Sequence, residues 1–222
     1  MGDRARKDAL FAEFAAVGKA LGHPGRLEIL DLLSQGPRSV ESLTEAAGLG
    51  MSTCSAQLQT LREAGLVESR RDGKRIYYSL AGTEVAGLWD HLRRVAQTHR
   101  PHTELARRAY LGPEDTIAVD TDELLRRLAD GAAVVLDVRP EPEYAAGHLP
   151  GAIHIPLEEL TERIGELPRD HQVIAYCRGR YCVLAHDAVR LLTADGLDAV
   201  RATDGVLEWR VAGVPVEETG AA

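Results

Sequence analysis

The sequence predicts two domains of different class: a mainly α-helical N-terminal half closed by a β-hairpin, and an α/β C-terminal half. Three observations carry this. Residues 10–61 divide into four helical patterns separated by Gly- and Pro-containing stops, two β-type runs follow around Asp72-Gly73, and the apolar run at 173–176 leads through a tight turn into a helical pattern. At 222 residues and 45% hydrophobic content the chain can fill two cores of ordinary size. Pro101 and Gly112-Pro113 mark the boundary, giving domains at 1–100 and 114–222 with a connector at 101–113 that holds a short helical pattern from Thr103 to Tyr110.

The first helix is read from Leu10, Phe14, Val17 and Leu21, and Gly22-His23-Pro24-Gly25 stops it. A second helix from about Arg26 to Leu33 ends at Ser34-Gln35-Gly36-Pro37, and a third runs from the capping Ser39 to about Ala47. After the turn Gly48-Leu49-Gly50, a fourth helix starts at Ser52 with Cys54, Leu58 and Leu61 on its apolar face. Two short helices across a Gly-containing turn form a helix-turn-helix pattern, and the runs on either side of Asp72-Gly73 form a hairpin that reads as a wing. The helix that follows offers Val85, Leu88, Leu92 and Val95 as an apolar stripe, assigned with the first helix to dimerisation.

Residues 19–36 (KALGHPGRLEILDLLSQG), 52–67 (STCSAQLQTLREAGLV) and 70–80 (RRDGKRIYYSL) together resemble the ArsR/SmtB family of winged-helix transcriptional repressors. The resemblance implies a homodimer on double-stranded operator DNA, with the fourth helix in the major groove of each half-site. It places Ser52, Thr53, Ser55 and Gln57 at base edges or nearby phosphates, and Arg62, Arg70, Arg71, Lys74 and Arg75 mainly at phosphates. Charge agrees in direction: residues 1–100 hold 14 Lys and Arg against 12 Asp and Glu, residues 101–222 hold 12 against 22. Cys54 shares its face with Leu58 and Leu61 and is read as a packing residue. The metal motifs of such regulators are missing or altered: residues 37–46 contain no cysteine, and Asp90-His91, His99 and His102 depart from the usual last-helix spacing. No metal and no cofactor is expected.

In the C-terminal half, the apolar run 173–176 delivers Cys177 to the turn Arg178-Gly179-Arg180-Tyr181-Cys182, and a helical pattern follows (Val183, Leu184, Ala188, Leu191, Leu192). A thiol near a helix N-terminus and beside two arginines is expected to have a lowered pKa and to act as a nucleophile.

Residues 134–139 (VVLDVR), Glu143-Tyr144 and 147–156 (GHLPGAIHIP) resemble the opening signature of rhodanese-type sulfurtransferases. The likeness runs from about Glu114 to Glu217 and implies a three-layer α/β fold with a mostly parallel central sheet. The family's catalytic cysteine falls on Cys177, and its strand-end Asp on Asp137; Asp137 and Arg139 read as supporting residues that tie the strand end to a neighbouring loop. Relatives that act on phosphate or arsenate close the loop with an Arg six residues after the cysteine, and Val183 stands there instead, which favours sulfur transfer. The resemblance implies an anionic sulfane-sulfur donor such as thiosulfate or a polysulfide, a persulfide on Cys177, and a thiol or cyanide acceptor. Arg178 and Arg180 would attract the donor, and loop N–H groups would cradle the sulfur. Cys182 has two readings: a resolving cysteine that takes the persulfide to a disulfide, or a residue packed under the following helix.

No stretch reaches the roughly 20 apolar residues of a membrane span, and MGDRARKDAL lacks the apolar core of a secretion signal. Three cysteines fit free thiols in a reducing compartment, so a cytoplasmic location is expected. The combined expectation is a sulfur-responsive regulator, probed against two rivals: a sulfurtransferase whose winged helix only dimerises or docks, and a metal- or arsenic-responsive regulator with a passenger rhodanese domain.

Overall fold

A computed structural model of the chain describes residues 3–219. It divides into two compact units, the first running to Trp89 and the second from Asp90.

In the first unit, Gly22 and His23 separate helix α1 (Arg4–Leu21) from α2 (Pro24–Ser34). His23 caps α2, its Nδ1 accepting from the Gly25 N–H at 3.1 Å, and Pro24 starts the helix where no N–H is needed. A two-residue strand β1 (Arg38–Ser39) leads into α3 (Val40–Ala46), capped as expected by Ser39 Oγ, which accepts from the Ser42 N–H at 3.2 Å. Gly48, at φ +61°, makes the turn to α4 (Met51–Glu63). Cys54, Leu58 and Leu61 recur on one face of α4 and are fully buried against Ile29, Leu30 and Leu43. Each buried leucine contributes about 1.5–3 kcal/mol to this core.

Strands β2 (Val67–Asp72) and β3 (Arg75–Leu80) form the wing, and the sheet order is β1-β3-β2. Asp72 pairs with Arg75, so the turn is the two residues Gly73-Lys74, one position later than Asp72-Gly73, with Gly73 at φ +59°. Helix α5 (Thr83–His99) follows, and the division between the two units falls inside it.

The second unit therefore holds the last part of α5. It also holds α6 (Pro101–Leu111), so the 101–113 segment read as a connector is a helix belonging to this unit. Its apolar residue Leu111 is buried, and Arg107 bridges Glu104 and Glu114, which holds the helix to the chain entering the sheet. The α/β part comprises β4 (Ala118–Val119), α7 (Thr121–Ala129), β5 (Ala133–Asp137), α8 (Glu141–Ala145), β6 (Ile153–His154), α9 (Leu160–Arg163), β7 (Gln172–Tyr176), α10 (Leu184–Ala194), β8 (Ala199–Ala202) and α11 (Val206–Ala212).

The five strands are all parallel, in the order β4-β8-β7-β5-β6. Alternation along β7 builds two cores: Val173 and Ala175 pack with Ala188, Val189 and Leu192 of α10, while Ile174 and Tyr176 pack with Leu124 of α7 and Trp209 of α11. The result is the three-layer α/β arrangement that the resemblance implied. β5 connects onward to one side of the sheet and β7 to the other, so the crevice at their carboxyl ends is the topological switch point where open α/β sheets place their sites.

Candidate functional site

Cys177 follows β7 directly at that switch point. The neighbouring strand end is rigid: Asp137 and Arg139 are both fully buried, with Arg139 Nη2 2.5 Å from Asp137 Oδ2. Arg139 Nη2 also donates to the Gly147 carbonyl at 2.7 Å, and its guanidinium lies over the Tyr176 ring. Buried charge is tolerated here because the two ions satisfy each other and the loop carbonyl takes a further N–H.

The 177–182 loop folds tightly enough that its two thiols meet. Cys177 Sγ donates to the Cys182 carbonyl oxygen at 3.6 Å, and both residues are buried. The backbone amides of Gly179 and Ala185 favour a thiolate at Cys177, and those of Arg178 and Leu184 favour one at Cys182. Cys182 thus faces Cys177 while also packing in the core beneath α10.

The electrostatics reverse one expectation. Burial raises the Cys177 thiol well above its ordinary range, and its hydrogen bond with Cys182 acts in the same direction. Cys182 is the lowered member of the pair: it accepts the hydrogen bond from Cys177, which outweighs its burial, and the Arg178 and Leu184 amides and the Arg178 charge add to that. The lowered pKa anticipated at Cys177 fails because burial dominates there, and the two neighbouring cations are engaged by other groups. Arg178 forms a bidentate pair with buried Glu143, with Nε at 2.9 and 3.0 Å and Nη2 at 2.6 Å. Arg180 Nε lies 2.9 Å from Asp204 Oδ1. Tyr181 is half-buried, with its hydroxyl 3.4 Å from Gln97 Oε1.

One charged residue near Cys177 escaped the sequence reading. Arg201 of β8 pairs in register with Ala175 and donates from Nε to Thr116 Oγ1 at 3.2 Å. Its remoteness in sequence gave no motif, but β-strand alternation beside Val200 and Ala202 would have placed it on the same sheet face as Cys177.

In the first unit Ser52, Thr53, Ser55, Arg62, Arg70, Arg71, Lys74 and Arg75 are all exposed. Gln57 differs: it is half-buried and its Oε1 accepts from Arg26 Nη1 at 3.0 Å, so it is held against the helical body instead of projecting outward. Gln59, exposed and one helical turn beyond Ser55, lies on the same outward face of α4, where its amide hydrogen-bonds with Arg62 and Glu63. Cys54 is fully buried, and burial raises its thiol pKa. Asp90 is engaged by Arg93 and Arg94, while His91, His99 and His102 are exposed; among the described residues no three His, Cys, Asp or Glu side chains gather as a metal site. No helix among the described residues is long and apolar enough to cross a membrane.

Residues 23–69 match the bacterial regulatory protein, arsR family, and residues 120–212 match the Rhodanese-like domain. The chain is 50% identical over 218 residues to the HTH-type transcriptional regulator Rv0324 of Mycobacterium tuberculosis, covering 98% of this chain and 96% of that protein. It therefore belongs to the ArsR family of bacterial transcriptional regulators, in the form that carries a C-terminal rhodanese-like domain. Over the N-terminal part alone it is 44% identical to the M. tuberculosis regulator NmtR, covering 42% of this chain and 75% of that one. A solution NMR structure of a homodimeric winged helix-turn-helix DNA-binding domain from Mycobacterium bovis is 49% identical, covers 46% of this chain and 94% of that one, and superposes with a TM-score of 0.43.

Proposed function

We propose that this regulator loads sulfane sulfur on Cys177 and that the loaded state changes operator binding by a homodimer of its winged-helix domain. The observation that carries this is the pair of buried cysteines closing one tight loop at the switch point of the sheet, with Cys177 Sγ 3.6 Å from the Cys182 carbonyl oxygen.

The pair supplies its own base. In the form of the pair that holds a single proton, as a donor's outer sulfur approaches, the Cys177 proton passes to the Cys182 thiolate and the Cys177 sulfur attacks. With thiosulfate, the new bond joins Cys177 to the outer sulfur, the donor's S–S bond breaks, and sulfite leaves with the bonding electrons. The products are a Cys177 persulfide anion and a neutral Cys182 thiol. Cys182 then attacks the inner sulfur of the persulfide; a Cys177–Cys182 disulfide forms and hydrosulfide leaves with the Cys182 proton. A thiol or cyanide acceptor competes for the outer sulfur before that second step. A cleft of about 320 Å3 bounded by Pro140, Leu157, Arg178 and Leu184 gives small anions a route to the loop.

On the DNA side, the outward face of α4 with Ser52, Thr53 and Ser55 would lie in the major groove, and Arg70, Arg71, Lys74 and Arg75 along the phosphates. Leu10, Phe11 and Phe14 of α1, with Leu88 and Val95 of α5, are exposed apolar residues suited to a second copy.

The test treats full-length protein with thiosulfate or polysulfide, locates added sulfur by mass spectrometry, and measures operator affinity for wild type, Cys177→Ser and Cys182→Ser. One added sulfur on Cys177, lost in Cys177→Ser, with a changed operator affinity, supports the reading. Equal affinity with and without the persulfide sinks the coupling.

A further inference from the structure

Glu208 of α11 is buried and packs at the corner that supports the sulfur loop. Its Oε2 accepts from the Gly205 N–H at 3.0 Å, and it lies so close to Gly179 that a Cβ there would come 2.5 Å from the same oxygen. Gly205 in turn backs directly onto the loop: a Cβ on Gly205 would come 2.5 Å from the Cys177 carbonyl oxygen and 2.5 Å from the Gly179 nitrogen. The loop backbone therefore rests on the Gly205–Glu208 corner.

The other oxygen of Glu208 is held from outside the rhodanese-like fold. Arg93 Nη2 donates to Glu208 Oε1 at 2.8 Å, and both side chains are buried. The same guanidinium lies 5.9 Å from the centroid of the Tyr181 ring, and one turn further along α5 Gln97 meets the Tyr181 hydroxyl. Arg93 and Gln97 lie outside both matched segments, 23–69 and 120–212. They belong to α5, the helix within which the two units divide.

We infer that Arg93 is a positioning residue of the sulfur site: through its ion pair with Glu208 and its contact with Tyr181 it holds the 177–182 loop in the curve that brings the two thiols together, and α5 is the element that senses the loop's sulfur state. The inference rests on the sulfur-loading reading for its signalling half only; the positioning half concerns the thiol pair whatever its substrate. A sulfur atom added to the buried Cys177 enlarges a loop whose backbone packs tightly on Gly205, and the expected response is a shift of the loop that carries the Arg93–Glu208 and Tyr181–Gln97 contacts with it.

The experiment uses full-length protein with Arg93→Ala, Arg93→Lys, Glu208→Gln and the double variant Arg93→Ala/Glu208→Gln, each checked for folding by circular dichroism. Two readouts are taken: the rate of iodoacetamide alkylation of the 177/182 pair, which needs no sulfur donor, and the ratio of operator affinities before and after thiosulfate loading. Arg93→Ala and Glu208→Gln are each expected to change the alkylation rate by about tenfold, as loss of alignment at a reacting group does. The double variant should be no worse than either single one, and Arg93→Lys should recover most of the rate. The affinity ratio should collapse towards one in Arg93→Ala. Additive losses, or an alkylation rate unchanged in folded Arg93→Ala, overturn the positioning role. Altered alkylation with an affinity ratio that stays at the wild-type value overturns the relay. Wild type that takes no sulfur on Cys177 overturns the sulfur reading, and with it the relay, while the alkylation series still decides the positioning role.

Discussion

Arg178 and Glu143 form a closed, two-toothed ion pair: three guanidinium-to-carboxylate contacts of 2.6–3.0 Å against an acid that is 2% exposed. The cation nearest the candidate nucleophile in sequence is therefore largely cancelled for an incoming anion. Glu143→Gln keeps the shape of the partner and removes its charge. If thiosulfate enters beside Arg178, this variant should bind it more tightly by about fivefold, equivalent to about 1 kcal/mol of partly screened attraction. The concentration dependence of single-turnover persulfidation measures this directly, and an unchanged half-saturation concentration would show that Arg178 takes no part in donor binding.

The thiol pair sets a pH order of reactivity. Cys182 is lowered, so its thiolate persists to lower pH than that of an ordinary cysteine, whereas Cys177 is raised and stays protonated above the ordinary thiol range. As pH rises, iodoacetamide should label Cys182 first and Cys177 only in clearly more alkaline solution. Peptide mapping after brief labelling across the pH series gives both profiles. Replacing Cys182 with Ala removes the hydrogen bond that helps to raise Cys177, so the Cys177 profile should move to lower pH, though burial keeps it above the ordinary value.

What could be read from the chain and what could not divide along physical lines. The helices of the first unit were legible because their stops are local: Gly22, Ser39 and Gly48 act on residues within one turn of themselves. The wing was legible for the same reason, with only its turn displaced by a residue. The position of Cys177 after β7 followed from the apolar run and the matching motif. Its acidity did not, because depth of burial, the leading cause of the raised pKa, has no local signature, and the acids that engage the two arginines, Glu143 and Asp204, lie 35 and 24 positions from them. Gln57 escaped likewise: its partner Arg26 is 31 residues away.

Arg139→Ala would leave the Asp137 carboxylate buried beside the strand end with its cation removed. Loss of one partner of a buried pair costs about 3–5 kcal/mol. Urea unfolding of the full-length protein should show the C-terminal unit destabilised by that order. Asp137→Asn/Arg139→Met, which removes both charges, should cost clearly less than Arg139→Ala.

If the wing tracks the phosphate backbone, Lys74→Ala should weaken operator and unrelated DNA alike and reduce the salt slope of binding by about one. Ser55→Ala, on the outward face of α4, should instead alter discrimination between operator and mutated operator with little change in that slope. Fluorescence anisotropy at several salt concentrations separates the two behaviours.

Arg93 and Gln97 of α5, which precede the segment matched as rhodanese-like, contact Glu208 and Tyr181 within it. Excising the rhodanese-like domain at residue 114 would strip away one wall of its own reactive loop and leave the Glu208 carboxylate facing solvent. Chemistry measured on such a fragment would belong to a different, looser site, and swapping this domain onto another regulator would require the last two turns of α5 to travel with it.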